Sequence, residues 1–125
     1  MNNKLTIKHD CVTGSEFEDL NLSGSTFQNI NLSGAHFGDI NFTDGIFSAA
    51  NIGGTLFKHI GPAPDKDGKQ ARQRPVTFEE AMLCDSTILH CDLSGVKIVE
   101  CDLAGMTIDG ILVTDLLKAW TGKNG

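Results

Sequence analysis

Ser15-Glu16-Phe17-Glu18-Asp19-Leu20-Asn21-Leu22-Ser23-Gly24 is followed at once by Ser25-Thr26-Phe27-Gln28-Asn29-Ile30-Asn31-Leu32-Ser33-Gly34. Each run of ten divides into two fives. Phe17, Leu22, Phe27, Leu32, Phe37, Phe42, Phe47, Ile52 and Phe57 recur at a spacing of five without a break. A helix repeats its apolar face at about 3.6 residues and a strand at about 2. A strict five fits neither period, so it marks a short unit that repeats and stacks.

The rest of the unit keeps the same register. Ser15, Leu20, Ser25, Ile30, Ala35, Ile40, Gly45, Ala50 and Thr55 stand two places before each centre, and all are small or apolar. Asn21, Asn31, Asn41 and Asn51 stand just before alternate centres. Large Phe centres mostly face small partners, whereas Leu22, Leu32 and Phe42 follow Leu20, Ile30 and Ile40. A narrow interior held at constant packing density requires such a volume exchange.

Outward from this block the pattern weakens and then returns. In residues 1–14, Leu5, Ile7 and Val12 extend the phase backwards, but Asp10 and Cys11 fit it poorly, so this part reads as an irregular first coil or N-terminal cap. Residues 61–77 break the grid. Gly61, Pro62, Pro64, Gly68 and Pro75 punctuate a polar run containing Lys66, Lys69, Arg72 and Arg74, which predicts a flexible inserted loop. Leu83, Ile88, Leu93, Ile98, Leu103, Ile108 and Val113 then restore the spacing, shifted by one residue, in a second block over 78–113. Thr77-Phe78-Glu79-Glu80 admits either a repeat unit or a capping box that opens one helical turn. Over 114–125, Thr114-Asp115-Leu116-Leu117-Lys118-Ala119-Trp120 reads as a short helix, capped by Thr114 or Asp115 and ended before Gly122. Residues 1–125 together make one domain.

Leu20-Asn21-Leu22-Ser23-Gly24, Cys91-Asp92-Leu93-Ser94-Gly95 and Cys101-Asp102-Leu103-Ala104-Gly105 resemble the unit of the pentapeptide-repeat family, from about Leu5 to Leu116. The resemblance implies an all-β fold, a right-handed quadrilateral β-helix with an inserted loop and a short C-terminal capping helix. Four units, about twenty residues, would make one coil, with coils about 4.8 Å apart. Phe17, Phe37 and Phe57 would then form one inward column and Phe27 and Phe47 another. Asn21 with Asn41, and Asn31 with Asn51, would stack as amide ladders between coils.

Charge and composition bound the function. The formal net charge is −6, with the loop at net +2 inside an acidic remainder. An acidic stem argues against direct nucleic-acid binding, where phosphate contacts dominate affinity. No apolar run reaches the roughly 20 residues of a membrane span, and Met1-Asn2-Asn3-Lys4 opens no apolar leader, so the expected location is the cytoplasm. Cys11, Cys84, Cys91 and Cys101 lack metal-ligand spacing, and Cys91 and Cys101 read as small core residues of a reducing compartment. His9, His36, His59 and His90 are scattered. No nucleotide loop or nucleophile elbow appears, so the reading is no enzyme, no metal and no cofactor.

The first functional reading is a non-enzymatic protein-binding scaffold, including an inhibitor or immunity-type binder, with Lys66, Lys69, Arg72 and Arg74 as its partner-binding residues. The second comes from the resemblance. Quinolone-resistance members of the family mimic duplex DNA and bind DNA gyrase or topoisomerase IV, and here Asp19 and Asp39 would share an acidic face. Against it, a stem of about 20–24 Å by strand spacing is short. A structural accessory protein with no discrete site is the third. Leu116, Leu117 and Trp120 either plug the end of the coil or form a homodimer contact there.

Overall fold

The computed structural model describes residues 4–124. The outer residues of the expected N-terminal cap, 1–3, and of the C-terminal tail, 125, lie outside these. The chain divides into two units, Met1–Phe57 and Lys58–Gly125.

In the first unit the repeat is a repeat of turns, and its full period is ten. Every second centre opens a hydrogen-bonded turn. Ser15 N donates to Val12 O, Ser25 N to Leu22 O, Ala35 N to Leu32 O, Gly45 N to Phe42 O and Thr55 N to Ile52 O, at 2.9–3.2 Å. The third residue of each turn is left-handed, with φ of 80° at Gly14, 74° at Gly24, 73° at Gly34, 62° at Asp44 and 75° at Gly54. A positive φ at the third position alone defines a type II turn and explains the glycines. The centres between, Ile7 and the Phe residues, are followed two places on by open bends, also left-handed, at His9, Asp19, Asn29, Asp39 and Ala49. Asp and Asn tolerate that region better than most residues. Their side chains can hydrogen-bond locally there, so five-residue units alternate in chemistry as well as in size. These turns reach back to His9, so the phase ahead of Ser15 is more regular than Asp10 and Cys11 suggest.

The second unit repeats the device. Ser86 N donates to Leu83 O at 3.3 Å, Val96 N to Leu93 O at 3.0 Å and Met106 N to Leu103 O at 3.0 Å. Open bends fall at His59, Glu80, His90 and Glu100. The one-residue phase shift read from the sequence therefore carries through to the backbone. Phe78 stands two residues before the left-handed Glu80, as Ile88 stands before His90, so it is a repeat centre. The helical turn that Thr77-Phe78-Glu79-Glu80 admitted does not form.

The repeat ends earlier than residue 113. Strand β1 (Thr107–Ile108) pairs antiparallel with β2 (Ile111–Leu112), Thr107 opposite Leu112 and Ile108 opposite Ile111. Asp109 and Gly110, at φ 48° and 80°, make the two-residue turn. Two consecutive left-handed residues are what a type I′ hairpin demands, and Asp-Gly is a preferred pair for it. Helix α1 (Val113–Asn124) follows directly. Its first residue donates from Val113 N to Met106 O at 2.9 Å, which ties the helix to the last repeat turn. Val113 is buried, at 9% exposure. Gly122 lies within the helix instead of ending it.

Among the described residues, strand pairing is confined to this hairpin. Phe17, Phe27, Phe37, Phe47 and Phe57 are exposed, as are Cys91 and Cys101. The two cysteines donate locally, to Leu89 O at 3.2 Å and Val99 O at 3.3 Å, instead of filling a core. Three consecutive centres, Phe37, Phe42 and Phe47, nonetheless meet. The ring centroids of Phe37 and Phe42 are 5.8 Å apart, and those of Phe42 and Phe47 are 5.3 Å apart in edge geometry. Aromatic pairs at such distances and tilts are favourable by about 0.5–1.5 kcal/mol beyond area burial.

Candidate functional site: the inserted loop and the turn it meets

The asparagines have a local role. Asn21 Oδ1 accepts from Ser23 N at 3.0 Å. Asn31, Asn41 and Asn51 accept in the same way from Ser33, Thr43 and Gly53, each at 2.9 Å. Asp92 and Asp102 do so from Ser94 and Ala104, also at 2.9 Å. Each carboxamide or carboxylate oxygen fixes the first amide inside its own type II turn, an Asx turn. The expected amide ladders between coils are replaced by this arrangement, because the side chain reaches the amide two residues on without crossing to another coil. At Cys11, where the Asn position is vacated, the thiol lies 3.2 Å from Thr13 Oγ1, and the Thr13 contacts hold that thiol below its ordinary pKa. Replacing Asn31 by Ala is expected to cost about 1 kcal/mol, as loss of a comparable cap does, while Asn31→Asp keeps the acceptor and most of the stability. Thermal unfolding of the two variants is the check.

The inserted loop is an ordered turn on a closed neck. Asp65 organises its tip. Gly68 N donates to Asp65 O at 2.9 Å and Asp65 N to Lys69 O at 2.8 Å. Asp65 Oδ1 accepts from both Asp67 N and Lys69 N at 2.9 Å. Gly68 is left-handed at φ 77°. The pattern is a tight turn closed by a left-handed glycine, as in three-residue hairpins. Lys66 and Lys69 are both exposed on this tip. Below it, Gln70 Nε2 donates to Pro62 O and draws the two arms together. The flexible loop expected from Gly, Pro and charge is thus replaced by a pinned turn. The signal for it was present in Asp65-Lys66-Asp67-Gly68, a turn sequence in its own right.

Arg72 does something else. Its guanidinium donates to Ser94 O at 3.4 Å and Ser94 Oγ at 3.3 Å, from 22 residues away. Ser94 in turn donates to Asp92 Oδ1 from its amide at 2.9 Å and its hydroxyl at 2.7 Å. These Ser94 bonds, with the nearby charge of Arg72, hold the Asp92 carboxyl below its ordinary value. A depressed carboxylate stabilises the fold above its unfolded value and loses that contribution as pH falls through the folded one. The turn is therefore expected to weaken in acid, below about pH 4. Of the four basic residues singled out in the sequence, Lys66 and Lys69 share the tip, Arg72 is engaged with the repeat, and Arg74 lies two residues beyond it.

Asp19 and Asp39 occupy equivalent bends, at φ 54° and 51°. Leu116, Leu117 and Trp120 of α1 are 43%, 50% and 67% exposed. Among the described residues no group of three or more His, Cys, Asp or Glu side chains converges as metal ligands, and no helix is long and apolar enough to cross a membrane.

No curated protein and no solved structure matches the chain. A family model described as pentapeptide repeats matches residues 13–58 in eight copies, the stretch whose turns recur every ten residues. The turns of 83–106 follow the same geometry outside the matched stretch. Over residues 13–58 the chain is thus similar to pentapeptide repeats, in copies that coincide with the turns described above.

Proposed function

We propose that the protein is a non-enzymatic protein-binding scaffold in which each repeat block winds into coils of a right-handed four-sided β-helix and the loop tip at Lys66 and Lys69 meets the partner. The turn alternation and the converging Phe37, Phe42 and Phe47 rings support the coil. The observation that carries the binding reading is the Asp65-pinned tip, which holds two lysines on a fixed turn. Function concentrates on loops that a rigid scaffold positions. The partner would present an acidic surface.

The test is affinity capture with the wild type and with a Lys66→Ala/Lys69→Ala variant of unchanged circular dichroism. Loss of a single partner with the variant is the expected result. Full retention would reject the tip as the site. The gyrase and topoisomerase IV reading has weaker support, since Asp at 19 and 39 is accounted for by the left-handed backbone there.

A further inference from the structure

We propose that the inserted loop is a strap, in which Arg72 clasps the turn at 93–96 and so holds the Lys66–Lys69 tip in one place on the repeat. This deepens the binding reading given above, because it makes Arg72 a positioning residue for the tip and not a contact for the partner.

Three features of the loop carry it. The tip is closed on itself by Asp65. The neck is closed by Gln70 on Pro62. Neither contact joins the loop to the repeat, so both would leave a closed hairpin free to swing about its ends. Arg72 joins the loop to the repeat, at Ser94 O and Ser94 Oγ. The acceptor is itself prepared. Asp92 receives the amide and the hydroxyl of Ser94, which fixes the turn and adds a negative charge beside the guanidinium. Gly95 completes the turn at φ 78°, and a Cβ built there would lie 3.9 Å from the guanidinium, so the approach is close without being tight. Both bonds leave one guanidinium nitrogen, Nη2, so the contact uses one arm of the fork.

Residue spacing gives the clasp its consequence. Arg72 belongs to the insertion and Ser94 to the repeat block that follows it, so the contact joins the two segments across 22 residues of chain. It ties the insertion to the repeat at the point where the phase slips by one.

Digestion of the full chain with a lysine-specific protease tests this, with cleavage after Lys66 and Lys69 followed by mass spectrometry and cleavage after Lys97 as the internal reference. Exposed charged contacts contribute up to about 1 kcal/mol, so Arg72→Ala should speed cleavage at the tip by about threefold to fivefold and leave Lys97 unchanged. Arg72→Lys, which keeps the charge and a multiple donor, should fall between the wild type and Arg72→Ala. Ser94→Ala should give a smaller increase, and Arg72→Ala/Ser94→Ala should be no faster than Arg72→Ala alone. Because the pair is exposed, high salt should bring the wild type towards Arg72→Ala. Unchanged cleavage at the tip in Arg72→Ala, or an equal rise at Lys97, would overturn the strap. If the tip loosens in Arg72→Ala while Lys66→Ala/Lys69→Ala still captures the partner fully, the strap stands and the binding site lies elsewhere.

Discussion

Phe42→Ala is expected to lower the stability of the protein by about 3–5 kcal/mol, the range for removal of a packed Phe. The ring of Phe42 meets that of Phe37 on one side and that of Phe47 on the other. It is also the one Phe at an alternate centre that otherwise holds Leu or Ile, with Ile40 as its partner. If the repeat blocks wind into coils, this ring lies at the middle of the interior, and its loss opens a cavity no neighbour can fill. As a side chain of an unwound run of turns, 48% exposed, it would cost much less. Burial of apolar surface contributes about 25 cal/mol per Å², and little of that is lost where the group is already in water. Chemical denaturation of Phe42→Ala beside Phe42→Leu reads the difference. A change under about 1 kcal/mol for Phe42→Ala would place the ring outside any packed interior.

The second large effect is predicted at a position that touches nothing. Gly34 has φ 73° and closes the turn from Leu32 to Ala35. A Cβ built on it finds no atom within 4 Å, so space is not the constraint. The constraint is the left-handed backbone, which a β-branched residue adopts least readily of all. Gly34→Val should therefore cost about 1–3 kcal/mol. Gly34→Asn, whose side chain tolerates this region, should cost well under half as much, and both can be read from thermal midpoints. Equal losses for the two would mean that the glycine is retained for some reason other than its φ.

These two residues also show what could be read from the sequence and what could not. The five-residue grid revealed the unit, because stacked turns need one apolar centre per unit whatever the flanking residues are. The shift by one between Phe57 and Phe78 was legible for the same reason, and the bend at Glu80 repeats that at His59 in the shifted phase. Side-chain acceptors were harder. Asn31 fits an amide ladder or an Asx turn equally well as a letter in a repeat, and only the 2.9 Å contact with Ser33 N distinguishes them. The end of the second block was misread because Ile108 and Val113 stay on the grid by number, while Asp109-Gly110 between them turns the chain into a hairpin. Local turn chemistry outweighed the period there. In the loop, charge and proline suggested freedom, but a single carboxylate at Asp65 accepts two amides and restrains the tip. The partner of Arg72 is separated from it by 22 residues, and no local pattern connects Arg72 to Ser94.

The central claim is that the repeat winds with a period of four units, and paired cysteines test it most directly. In a background with Cys11, Cys84, Cys91 and Cys101 replaced by Ser, Ser23→Cys and Thr43→Cys occupy the same turn position twenty residues apart, and Ser23→Cys with Ser33→Cys occupies it ten apart. In a four-unit coil neighbouring turns would lie about 4.8 Å apart, within the Cα separation of roughly 4.4–6.8 Å that a disulfide accepts. Mild oxidation should close the 23–43 pair rapidly within one chain and leave the 23–33 pair, on opposite sides of the coil, as free thiols. Failure of the 23–43 pair to close, or equal closure of both pairs, would contradict a four-unit coil.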